Sequence, residues 1–148
     1  MKGAILRKVT KDDIMLLYNW ANDNEVRKNA FNSNYIDINV HKKWFEDKLN
    51  SERCDMFIYM YHSKPIGQVR VDYDEKDIGY IDYSVADGYR GYGHGKNIIH
   101  LVEREVAYKV VCLIALVKED NIASKLVFEK NLYKKEAGIY IKTLSKKI

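Results

Sequence analysis

The run Arg90-Gly91-Tyr92-Gly93-His94-Gly95-Lys96 carries the chemistry most open to reading in this chain. Ile78 to Ala86, before it, is rich in Ile, Tyr and Val and reads as a strand. Lys96 to Lys109, after it, places apolar Ile98, Ile99, Leu101, Val102, Val106 and Ala107 at helical spacing. A glycine-rich turn between a strand and a helix presents backbone N–H groups at the positive end of the helix dipole, and that arrangement binds phosphate. Glycine is required where a Cβ would keep the backbone from approaching the anion. A phosphate-bearing ligand is therefore expected at residues 90–96.

Two nucleotide motifs are excluded. A P-loop needs a glycine where this chain has Arg90, and Ser or Thr where it has Asn97. A dinucleotide fingerprint over Gly91 and Gly93 would need a third glycine at Lys96. What remains is Arg90-x-x-Gly93-x-Gly95. Further on, Val110 to Val117 is an apolar run of strand length, followed by Glu119-x-Asn121-x-x-Ser124 and a helical stretch from Lys125 to Asn131.

The first pattern resembles the acetyl-CoA pyrophosphate loop of the GNAT superfamily of N-acetyltransferases, and the second resembles that family's E-x-N-x-x-S signature. The resemblance implies acetyl-CoA as cosubstrate. It implies a pyrophosphate held around Arg90, Gly91, Gly93, His94, Gly95 and Lys96. It also implies a pantetheine arm beside the backbone of Val85, the side chains of Asn121 and Ser124, and Phe128.

The rest of the chain is compatible with such an enzyme. Its 148 residues are expected to form a single domain over 1–148, as a monomer or homodimer. No run approaches the roughly 18 apolar residues of a membrane span. Met1 to Arg7 is charged too early for a signal peptide and reads as the first strand, so a cytoplasmic protein is expected. Cys54 and Cys112 lack metal spacing and read as reduced thiols, with Cys112 in the core. The four histidines form no ligand cluster, so no metal is expected. A net charge of +4 is too small and scattered for a nucleic-acid footprint. Lys134-Lys135 and Lys146-Lys147 read as solvated surface.

Thr10 to Asp13 has the form of a capping box, followed by a helix through Ile14, Leu17, Tyr18 and Ala21 that ends near Asn22–Asn24. Arg27 to Tyr35 reads as irregular. A helix is expected over Asn39–Leu49, strands over Asp55–His62 and Ile66–Tyr73 with a turn at Ser63–Pro65, and a last strand over Gly138–Leu144. The order matches the GNAT fold. That fold implies an α/β domain with a mixed, mostly antiparallel sheet of six to seven strands and about four helices, splayed at the acetyl-CoA site.

In that family an amine attacks the thioester directly, so the site needs a proton acceptor for the amine and a proton for the departing thiolate. Asp82 is the candidate base, because a carboxylate within an apolar strand is costly without a task or partner. Ser84 lies on the same strand face and could hold a water; Glu119 is the other candidate. Many GNAT enzymes carry a tyrosine general acid where this chain has Phe128, which has no proton to give. Tyr83, Tyr89, Tyr92 or a water would then have to substitute, or else the domain binds acyl-CoA without turning it over.

For the acceptor, Leu17 to Ser33 with His41-Lys42-Lys43-Trp44-Phe45 and Gly67 to Asp72 resembles the GNAT branch that acts on nucleotide-linked amino sugars in pseudaminic-acid biosynthesis. On that likeness Arg27 would pair a phosphate, Asn22 or Asn29 would bind hydroxyls, and Trp20 or Phe31 would stack on a ring. Trp44 and Phe45 read as helix packing. A related branch that acetylates protein N-termini shares part of this pattern. In either case the partner is a small-molecule or peptide amine, not nucleic acid or membrane.

Overall fold

The computed structural model describes residues 1–144, so Lys146 and Lys147 lie outside the described residues. Along the chain run β1 (Ala4–Lys8), a 3-10 turn (Lys11–Asp13), α1 (Ile14–Ala21), α2 (Asn24–Asn29), α3 (Ile38–Leu49), β2 (Cys54–Tyr61) and β3 (Lys64–Tyr73). There follow β4 (Ile78–Val85), α4 (His94–Val106), β5 (Cys112–Leu116), α5 (Ile122–Lys130), β6 (Lys134–Glu136) and β7 (Ile139–Thr143). The strands form one seven-stranded sheet in the order β1-β2-β3-β4-β5-β7-β6. Every neighbouring pair is antiparallel except β4 with β5.

Alternation along the strands splits the core between two faces. Phe57 and Tyr59 of β2 join Val69, Val71, Ile98, Val102, Leu113 and Phe128 on the face covered by α4 and α5. Met56 and Ile58 turn the other way, to Leu17 of α1 and Phe45 of α3. The capping box forms as its sequence indicates: the Thr10 N–H donates to Asp13 Oδ2 at 2.8 Å. Arg7 then grips both oxygens of Asp13 from β1.

β4 and β5 share a ladder only from Ile78–Cys112 to Tyr80–Ile114. Beyond it β4 stays paired with β3 as far as Val85, while β5 stays with β7 as far as Leu116. Their facing edges therefore part, as the family resemblance implies. Gly79 marks the closed end, where a Cβ would lie 2.8 Å from side-chain carbons of both Leu113 and Val71.

The structure departs from the sequence reading in four places. Part of the stretch read as irregular is helix: α2 is capped by Asp23, whose Oδ1 accepts the N–H groups of Glu25 and Val26. Six residues are too few to display an apolar period, and none of them is buried. This raises the count to five α-helices among the described residues. β6 was not expected, since Lys134-Lys135-Glu136 is exposed throughout and shows no alternation. The turn between β2 and β3 falls at His62 and Ser63, which take positive φ of 47° and 66°. Pro65 lies inside β3, opposite Met60 where the register shifts, a position that tolerates its missing donor. Cys112 is half-buried rather than core, at the start of β5.

Behind the sheet, Asp55 of β2 is only 9% exposed. Lys8 of β1 donates to one carboxylate oxygen, while Lys109, just after α4, and Tyr73 of β3 donate to the other at 2.6 and 2.7 Å. Burial alone would raise this carboxyl, but the bonds from Lys109, Lys8 and Tyr73 outweigh it and hold it at about 2. The folded value lies below the ordinary one of about 3.9, so the contribution is complete above about pH 4 and lost as pH falls toward 2. It amounts to about 2 kcal/mol. Asp55→Asn should lower the unfolding free energy by that amount in urea titrations at neutral pH. The deficit should shrink through this acid window.

Candidate active site

Where β4 and β5 part, a cleft of about 980 Å³ opens, lined by residues from both sheet faces. One end is the loop between β4 and α4. Gly88, Gly91 and Gly93 all take positive φ there, and Gly93 (φ 88°) stands as the N-cap of α4. Among the described residues no side chain caps this helix, so its first-turn N–H groups are left for another acceptor. Lys96 is exposed beside them and lines the cleft. Gly95 lets the first turn lie close to β4 and α5, since a Cβ there would be 3.2 Å from both Tyr83 and Val127.

Two residues expected to face a pyrophosphate do other work. Arg90 Nε donates to the Val85 carbonyl at 2.9 Å, and Nη2 donates to Asp23 Oδ1 at 2.7 Å. The guanidinium thus ties the glycine loop to the end of β4 and to the cap of α2. His94 turns its imidazole inward: it is 5% exposed, with Nδ1 2.9 Å from the Tyr59 hydroxyl. Burial pushes its pKa down. Asn97 donates to the same hydroxyl, so the first turn of α4 is bolted to β2 through Tyr59.

Across the cleft, Asn121 caps α5: its Oδ1 accepts the Ser124 N–H at 3.2 Å. Ser124 Oγ lies 2.9 Å from the Tyr83 hydroxyl. Phe128 is 2% exposed and packs edge-on against Tyr83, with ring centroids 5.8 Å apart. Glu119 stands apart from this group. Its side chain is 80% exposed, paired with Lys125 and Lys135, and it does not line the cleft. The bond from Lys125 holds its pKa below the ordinary glutamate value. A base role would need it to turn in from solvent.

On the opposite face of β4, Asp82 and Ser84 point together into the cleft. Gln68 of β3 lies 3.2 Å from an oxygen of each. Arg70 Nη1 is 3.8 Å from Asp82, its guanidinium lying over the Trp44 ring and bonded to Asp72. Asp82 is 57% exposed, so solvent and these partners answer the cost of a charge within a strand. Asp82 therefore needs no catalytic task to be tolerated in its strand, and it lines the cleft together with Ser84. Sequence reasoning missed Gln68 and Arg70, although the hairpin register pairs Ser84 with Gln68 and Asp82 with Arg70. The register follows from the charged turn at Asp74–Asp77.

The acceptor candidates divide. Asn22 pairs both amide atoms with the Ile36 backbone, accepting at 2.8 Å and donating at 3.1 Å. Arg27 donates to the carbonyls of Ala21, Asn32 and Asn34. Both staple the wall of the cleft instead of pointing at an acceptor. Asn29 and Trp20 line the cleft, whereas Phe31 is 71% exposed and lies outside its lining. Among the described residues no His, Cys, Asp and Glu side chains form a metal-binding group, and no helix is long and apolar enough to cross a membrane.

No curated protein matches the chain. Among solved structures, a domain from Methanocaldococcus jannaschii superposes with a TM-score of 0.85 at 21% identity, covering 95% of this chain and 98% of that one. The spermidine N-acetyltransferase of Vibrio cholerae, in complex with CoA and spermine, gives 0.86 at 14% identity over 99% and 98%. An aminoglycoside acetyltransferase in complex with coenzyme A and kanamycin gives 0.81 at 17% over 95% and 94%. At such identities the likeness shows the fold. Residues 4–133 match the model of the acetyltransferase (GNAT) domain, which is most of the chain, and the protein therefore belongs to the GNAT acetyltransferase family, whose members take their acyl group from acetyl-CoA.

Proposed function

We propose that this protein transfers acetyl from acetyl-CoA to a primary amine by direct attack in the cleft between β4 and β5, with a nucleotide-linked amino sugar as acceptor. One observation carries the reaction. The parted strands bring the uncapped start of α4 and the Asn121–Ser124 turn into the same space as Asp82 and Ser84. The backbone of Gly91, Gly93 and Gly95, with Lys96, would hold the pyrophosphate. The Val85 backbone, Asn121 and Ser124 would hold the pantetheine arm. Asp82 would accept the amine proton, directly or through a water on Ser84. Placing the two substrates together in this way is worth about 7–11 kcal/mol of barrier.

The amino-sugar acceptor rests on the likeness of the Leu17–Ser33 segment, which supplies part of the cleft wall, with Trp20 and Asn29 lining it. A second reading has an observation of its own. Glu25, Asp37 and Asp82 line the cleft, while Arg27 is engaged by backbone carbonyls. That balance favours a cationic acceptor without phosphates, either a polyamine or a peptide N-terminus. The spermidine enzyme of the same fold, bound to spermine, is a precedent for such a ligand.

Thiol release from acetyl-CoA should be measured with a UDP-linked 4-amino sugar, spermidine and a ribosomal N-terminal peptide as acceptors. Release with the sugar alone supports the leading reading, and release with spermidine or the peptide alone replaces it. Acetyl-CoA binding without release on any amine would indicate a binding-only domain. Gly93→Val forces a β-branched residue into the left-handed region and adds a Cβ beside the first turn, so acetyl-CoA affinity by calorimetry should fall at least about tenfold. Unchanged affinity would place the pyrophosphate elsewhere. Asp82→Asn should lower kcat about 10²-fold at neutral pH. Full turnover across the pH range would remove Asp82 from the mechanism.

A further inference from the structure

We infer that Tyr83, steadied by Ser124, gives the departing thiolate its proton, the task that Phe128 cannot perform. The inference rests on the acetyl-transfer reading above. Three features of the fold converge on the Tyr83 hydroxyl. It lies 2.9 Å from Ser124 Oγ, in the first turn of α5. It sits against the first turn of α4, where a Cβ on Gly95 would be 3.6 Å from the phenol oxygen. Its ring rests edge-on against Phe128, the residue at the acid position. All four residues line the same cleft.

Strand geometry sets this tyrosine opposite the base. Neighbouring residues of a strand point to opposite faces. Asp82 therefore projects to the side of Gln68 and Arg70, and Tyr83 to the side of α4 and α5. The reaction needs one group to take the amine proton and another to give a proton to sulfur, and consecutive residues of β4 offer the two. Other tyrosines are less well placed. Tyr92 is 72% exposed on the loop, and Tyr133 is buried behind Phe128 without lining the cleft. Tyr89 packs its ring toward His94.

The proton balance closes. When the carbon–sulfur bond breaks, its electron pair goes to sulfur, which takes the phenol proton and becomes the thiol. The Tyr83 oxygen is reprotonated from cleft water by a concerted relay through the Ser124 hydroxyl, and the hydroxide so formed is neutralised by the amine proton that Asp82 took up and releases to water. Burial pushes the phenol up to about 12, so Tyr83 holds its proton at neutral pH; the Ser124 bond works the other way and eases formation of the phenolate.

The test is a set of variants in the full chain. Tyr83→Phe should lower kcat about 10²-fold, with the CoA dissociation constant by calorimetry and the thermal midpoint unchanged. Adding Phe128→Tyr to that variant moves the hydroxyl to the neighbouring ring and should recover at least about tenfold in kcat. Full kcat in Tyr83→Phe overturns the assignment. So does a loss of CoA affinity or thermal stability that accounts for the lost rate and is not reversed by the second substitution, since Tyr83 would then be structural. If the unaltered protein releases no thiol with any amine while still binding CoA, the acetyl-transfer reading fails first and this assignment with it.

Discussion

The parallel ladder between β4 and β5 ends at Tyr80 and Ile114, and the cleft depends on both strands continuing beyond that point without each other. An unpaired strand edge carries N–H and C=O groups that need partners. Each strand keeps its outer edge satisfied, β4 by β3 and β5 by β7, so the sheet tolerates the gap and offers the inner edges to water or a ligand. At the closed end Gly79 allows Leu113 and Val71 to meet. At the open end, bulk takes the place of pairing. Phe128 of α5 meets the rings of Tyr83 on β4, of Tyr133, and of Tyr140 on β7. A wedge of packed aromatic rings resists closure, because interiors at this density cannot collapse without displacing neighbours.

The α2 wall of the cleft is tied to the glycine loop and the end of β5 through charges. Arg90 reaches from the glycine loop to Asp23, the cap of α2. Lys118, just beyond β5, donates to the Lys28 carbonyl near the other end of the same helix at 3.0 Å. A six-residue helix has little stability of its own, so these two ties fix where this wall of the cleft stands. Burial would raise the Asp23 carboxyl, but Arg90 and the two amides it caps outweigh that and hold its pKa below the ordinary range. One carboxylate thus both starts α2 and binds it to the glycine loop.

What the sequence disclosed was the backbone, and what it concealed was the engagement of charged side chains. Glycines at 91, 93 and 95 between a strand and a helix could be read because few other residues tolerate that geometry. The long strands and α4 could be read because their apolar positions repeat over many residues. Arg90 and Arg27 were different. A guanidinium in a ligand motif and one satisfying nearby carbonyls have the same local sequence, and only the folded neighbours decide between them. Asn22 was concealed for the same reason, its partner Ile36 lying across α2 and an irregular loop. Tyr83 could be named from its strand, but its place beside Ser124 depends on contacts 41 positions apart.

On the proposed assignment, the contrast between Asp82 and Tyr83 lets one strand serve both ends of a transfer reaction. Consecutive side chains of β4 meet different surroundings, because the pleat sends one to a solvated face and the other into an aromatic wedge. A carboxylate that must receive a proton benefits from staying hydrated, and Asp82 is more than half exposed beside Gln68 and Arg70. A phenol that must keep its proton until a sulfur needs it benefits from burial, since an apolar setting disfavours the phenolate. Exchanging the two residues would put the charge in the wedge and the phenol in water, reversing both advantages. The order of this pair, together with the parting of β4 from β5, gives the cleft a direction.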